Sequence, residues 1–130
     1  MTTLTEDQLI ELVERDYFGN VDAKDLDGVL AVLAPDARLT VKTAAVTHEG
    51  RDTGIRRMLR DFLADFREGW HGDFAHTVDV PNQRIASRFD VRLVDHGGAV
   101  STASNANFFQ VRDGMIAEIF VYMSIENVLK

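Results

Sequence analysis

The sequence predicts an α+β fold, with three helices from the N-terminal half packed on one face of a curved antiparallel sheet. Two observations carry this. Apolar residues recur every three or four positions up to about residue 66, the period of an amphipathic helix. From about residue 74 they alternate, the period of a half-buried strand, and turn residues punctuate them. A third observation sets the scale. A chain of 130 residues with 45% hydrophobic residues can build one core without staples, so residues 1–130 are read as one domain.

Thr5-Glu6-Asp7-Gln8 is a capping box opening the first helix, with Leu9, Ile10, Val13 and Tyr17 on one stripe. Gly19-Asn20 should stop it. A second helix is expected from about Asp22, with Leu26, Val29, Leu30 and Leu33 aligned, ending at Ala34-Pro35-Asp36. Leu39 and Val41 alternate with Arg38, Thr40 and Lys42 in a short strand, and residues 50–54 read as a turn. Ile55, Met58, Leu59, Phe62, Leu63 and Phe66 mark the third helix, with Trp70 at its end. Phe74, His76, Val78 and Val80 then share a strand face, and Pro81-Asn82 turns the chain. Ile85, Ser87, Phe89, Val91 and Leu93 form the next inner row. His96-Gly97-Gly98 turns again, and Asp113-Gly114 joins a strand over 100–111 to a last one over 115–123.

Composition removes several function classes. There is no cysteine, hence no disulfide, thiol nucleophile or cysteine-held metal. A net charge of −7 argues against nucleic acid, because the basic cluster Arg56, Arg57, Arg60 is interleaved with Asp52, Asp61 and Asp65. No apolar run approaches the ~20 residues of a membrane span, and the N-terminus lacks the basic and apolar regions of a signal peptide. A cytoplasmic location is expected. His71 and His76 fall on opposite faces of one regular strand, and His48 and His96 are isolated, so no metal site is expected. Gly97-Gly98 and Asp113-Gly114 open no helix and are not phosphate loops.

Tyr17 followed by Asp25-Leu26-Asp27-Gly28-Val29 and Ala34-Pro35-Asp36-Ala37 resembles the opening of ketosteroid isomerases and SnoaL-like polyketide cyclases. Gly50 before Ile55, and Phe108 to Ile116 around Asp113-Gly114, extend the resemblance over nearly the whole chain. It implies the cone of the nuclear transport factor 2-like superfamily, a cystatin-like α+β barrel, and a small-molecule pocket without a cofactor. It places the family's oxyanion tyrosine on Tyr17, its second donor on Asn107 and its base on Val41, which cannot take a proton. His76 is the expected replacement for the base, ahead of Asp36 and Asp79. Asn105, Val41, Phe62, Trp70, Phe89 and Ile119 are the expected ligand-binding residues. The expected activity is isomerisation, dehydration or cyclisation of a carbonyl-bearing or cyclic apolar compound. The alternatives are a non-catalytic ligand-binding or regulatory dimer and a structural carrier. Phe120 and Tyr122, opposite Ile119 and Val121, predict a homodimer through the convex face of the sheet.

Overall fold

Thr5 caps the first helix as expected. Its hydroxyl accepts from the Gln8 amide at 3.2 Å, and the Gln8 side chain accepts from the Thr5 amide at 2.9 Å. In the computed structural model, which describes residues 2–130, helix α1 covers 6–22. Its start is α-helical (Glu6–Glu11), its middle is π-wound (Leu12–Gly19), and Asn20–Asp22 completes it. Gly19-Asn20 does not end the helix. Gly19 keeps helical angles, and the Asn20 side-chain Nδ2 donates to the Asp16 carbonyl at 2.7 Å. The stop comes at Lys24, whose φ of 57° supplies the left-handed turn that glycine usually provides.

Helix α2 is shorter than the apolar pattern suggested, at Leu26–Leu30. Asp25 caps it by accepting from the Gly28 amide at 2.9 Å. A Cβ on Gly28 would lie 2.5 Å from that carboxylate, which explains the glycine. Leu33 already belongs to strand β1 (Leu33–Val41), and Pro35 is tolerated there because the ladder is irregular between Leu33 and Arg38. A strand absent from the sequence reading, β2 (Val46–Glu49), pairs with β1. Helix α3 covers 50–65, with a π-wound entry at Gly50–Ile55 and an α-helical body at Arg56–Asp65. Phe66, expected on this helix, takes extended angles and starts strand β3 (Phe66–Asp79), which also carries Trp70. Strands β4 (Arg84–Asp95), β5 (Val100–Arg112) and β6 (Met115–Tyr122) follow the expected hairpins.

The sheet order is β2-β1-β6-β5-β4-β3. All pairs are antiparallel except β1 with β6. Its inner face packs on the helices through Leu33, Leu39, Ile85, Phe109, Ile116 and Ile119, against Leu9, Val13, Val29, Ile55 and Met58.

One irregularity decides what that face carries. Strand β3 shifts register between Gly72 and Ala75, where Asp73 has a φ of 54°. Regular alternation would put His71 and His76 on opposite faces. The extra residue restores phase, so His71 opposite Val91 and His76 opposite Ser87 both point inward. The bulge makes a stability prediction. Asp73→Gly should stay within about 0.5 kcal/mol of wild type. Asp73→Val, with a branched side chain at that φ, should lose about 1–3 kcal/mol. Urea denaturation of the two variants measures the difference.

Candidate functional site

Helix α1, helix α3 and the inner sheet face enclose a cavity of about 40 Å³. Its wall is mostly apolar, with Phe18, Leu59, Phe62, Phe89 and Val121 prominent. Four polar side chains reach it: Tyr17, His71, Asn105 and Asn107. The mouth is covered by residues that follow β6, namely Met123, Ile125, Val128 and Leu129.

Tyr17 sits on the buried stripe of α1 with 4% of its surface exposed. Burial alone pushes its phenol well above the ordinary tyrosine range, so near neutrality it is a hydrogen-bond donor and not an anion. Asn107 is equally buried, and its Oδ1 has no hydrogen-bond partner among the described residues. A buried amide oxygen left unpaired is uncommon and costly. Asn105 also lines the cavity, but its Oδ1 accepts from the Ser124 amide at 3.3 Å, so that oxygen is engaged.

His71 is the residue that alternation misplaced. Its backbone amide donates to Asp22 Oδ2 at 2.9 Å, and its Nδ1 lies 2.6 Å from Asp22 Oδ1. A carboxylate only accepts, so Nδ1 carries the hydrogen and Nε2 keeps a lone pair. The ring stacks on Phe18 with centroids 4.7 Å apart, and only 9% of the side chain is exposed. The arrangement can accept a proton at Nε2 and stabilise the resulting imidazolium through Asp22. The legible signal was Gly72-Asp73, a turn-type dipeptide inside a strand pattern and therefore a bulge.

The other expected residues divide. Phe62 and Phe89 line the cavity. His76 is on the inner face but outside the cavity wall, and both its nitrogens are engaged. Nε2 donates to Glu14 Oε1 at 3.0 Å, and Nδ1 accepts from the Ser87 hydroxyl at 2.8 Å. Val41 and Ile119 are fully buried in the core behind Val121 and do not reach the cavity. Trp70 is not at a helix end. It pairs with Arg92 on the outer face of β3–β4, 45% exposed, because it lies one residue out of phase with His71. Asp36 pairs with Arg112 at the surface, and Asp79 holds the Asn82 turn. Among the described residues, no three His, Asp or Glu side chains gather closely enough to hold a metal ion. Among the described residues, no helix is long and apolar enough to cross a membrane.

A six-stranded curved sheet folded over three helices around this cavity is the nuclear transport factor 2-like architecture. Solved structures share it. A candidate polyketide cyclase from Xanthomonas campestris pv. campestris is 23% identical, with 89% of this chain and 90% of that one covered at a TM-score of 0.79. AusH from Aspergillus nidulans is 12% identical, with 96% and 90% covered at 0.79. A candidate ketosteroid isomerase from Kribbella flavida is 17% identical, with 93% and 81% covered at 0.71. At these identities the likeness establishes the fold. No curated protein matches the sequence. The family is established by the sequence itself: the model of the SnoaL-like domain matches residues 15–119, and the chain belongs to that family.

The unpaired amide makes a prediction that needs no ligand. Asn107→Leu, close in volume and without an orphan acceptor, should raise stability by about 1–3 kcal/mol. Thermal and urea unfolding against wild type test it.

Proposed function

We propose that the cone is a cofactor-independent active site for a small carbonyl-bearing or cyclic apolar compound, working by proton transfer. The observation that carries this reading is the His71–Asp22 pair, held at 2.6 Å with His71 in the cavity wall. His71 Nε2 takes the proton from a carbon next to a carbonyl. The electron pair moves onto the carbonyl oxygen, where the Tyr17 hydroxyl and the Asn107 amide N–H donate to the developing charge. Asp22 keeps the imidazole oriented and holds the imidazolium. Returning the proton to a different carbon gives isomerisation. Expelling a β-hydroxyl with that proton gives dehydration, and attack of the enolate on an internal carbonyl gives ring closure. All three need only the base and the two donors, in keeping with the candidate cyclase and isomerase among the structural neighbours.

A test does not require the natural substrate. Base-catalysed exchange of the α-protons of β-tetralone into D₂O, followed by NMR, reads proton abstraction directly. Wild type should exceed an equal concentration of imidazole. His71→Ala should lose about 10²–10⁴-fold, and Tyr17→Phe about 10²-fold. Exchange no faster than imidazole, with β-tetralone bound, would leave a ligand-binding protein. In that case Tyr17→Phe weakens binding by only about tenfold, as expected for one hydrogen bond of about 0.5–1.5 kcal/mol.

The convex face supports a homodimer. Phe108 and Tyr122 are 47% and 42% exposed and meet edge-to-face at 5.7 Å. Phe108 also lines, with Phe120 and Gln110, a groove of about 440 Å³. Light scattering at micromolar concentration should give twice the 14.6 kDa chain mass, and Phe108→Asp with Tyr122→Asp should return the monomer.

A further inference from the structure

The cavity is far smaller than the roughly 300–1,000 Å³ that encloses a small organic molecule. The segment after β6 supplies four of the apolar side chains that line it. We propose that residues 123–130 are a strap that opens to admit the ligand, and that His48 and Arg57 are the latch that holds its far end. The proposal rests on the reading of the cone as a ligand site.

The strap runs from β5, in the interior of the sheet, to β2 at its edge. At its near end the Ser104 amide donates to the Ser124 hydroxyl at 2.9 Å, and the Ser124 amide donates to Asn105 Oδ1 at 3.3 Å. Ile125, Val128 and Leu129 then turn their side chains into the cavity wall. Asn127 bonds back to Leu129 and shapes the bend. At the far end, His48 of β2 reaches the Leu129 carbonyl through Nε2 at 2.9 Å. A carbonyl only accepts, so Nε2 carries the hydrogen and Nδ1 is an acceptor. Arg57 of α3 donates to that Nδ1 at 3.3 Å and to the Lys130 carbonyl at 3.4 Å. His48 is 4% exposed, and its two nitrogens are spent on this one junction.

Among the described residues, 123–130 make no hydrogen bond from main chain to main chain. The strap therefore hangs on side chains, while every β-strand is held by a ladder. Such a segment can lift without breaking the sheet. Lifting it removes four apolar side chains from the cavity wall and leaves Tyr17, His71 and Asn107 in place.

Hydrogen–deuterium exchange with mass spectrometry tests the latch directly. Stopped-flow binding of prodan, a neutral fluorescent naphthyl ketone, tests the access. In His48→Leu, exchange over 123–130 should rise at least tenfold while the strands keep wild-type protection. Prodan should associate several-fold faster. His48→Gln retains a donor for Leu129 and should stay near wild type. Arg57→Met, on a half-exposed helix position, should give a smaller rise and serves if His48→Leu does not fold. Unchanged exchange over 123–130 in His48→Leu and Arg57→Met would overturn the latch, as would an equal rise across strap and sheet. A strap that exchanges faster while prodan binds no variant would support the latch and overturn the ligand reading.

Discussion

The carboxylate of Asp22 is bound twice by one residue of the sheet, and the interior of the cone depends on that grip. Both hydrogen bonds come from His71, one from its backbone and one from its ring. They tie the last turn of α1 to the first half of β3, far from the strand's pairing with Ser87 and Ile85. Because α1 is fixed at this end, Tyr17 and Phe18 of its π-wound stretch press against Phe109, Phe89 and Phe74. An i→i+5 stretch at this point fits the recurrence of π turns at functional positions. The same bond fixes the tautomer of His71, with the hydrogen on Nδ1.

Much of the fold was legible in local pattern. The capping box, the apolar stripes of α1 and α3, and the alternation of β4 and β5 all lie where the residues place them. The departures have local physical reasons. Gly19 stayed helical because Asn20 back-bonds to Asp16, and Pro35 entered a strand because the ladder is irregular there. Strand β2 is four residues long and carries no alternation strong enough to read. Of the candidate site, Tyr17, Asn107, Asn105, Phe62 and Phe89 were placed in the wall by periodicity and resemblance together. His71 was not, because a single inserted residue reverses parity for everything before it. Trp70 lies off the cavity because Phe66 starts a strand instead of ending the helix, which puts Trp70 one residue out of phase with His71. The strap residues were illegible because a segment without period gives no direction to its side chains.

One row of the sheet shows how polar groups are accommodated on an apolar wall. Reading across the strands, His76, Ser87, Asn107, Val121 and Val41 are successive partners. At the open edge the row is satisfied, since Glu14 closes the His76–Ser87 chain. Toward the other edge it is plain valine. Asn107 stands between the two regimes and inherits a partner from neither. A site fitted only for stability would put an apolar residue there, so the position stores free energy that a ligand's polar atom could recover.

The parallel contact between β1 and β6 has a consequence for how the chain reaches this state. Arg38 and Glu118 are 80 residues apart, yet they bond at 3.0 Å across the middle of the sheet. Strands β2 and β1 join the other described strands through β6, the sixth in chain order. Until β6 pairs, Leu39 and Val41 have helices to lean on but no ladder on their second side. Closing so long a loop is slow compared with forming the hairpins β3–β4–β5. The hairpins β1–β2 and β3–β4–β5 are local and can pair first, and β6 joins the two parts. The N-terminal half, with its apolar stripes already made, waits exposed for its neighbour, the interval in which a chaperone or a second nascent copy would meet it.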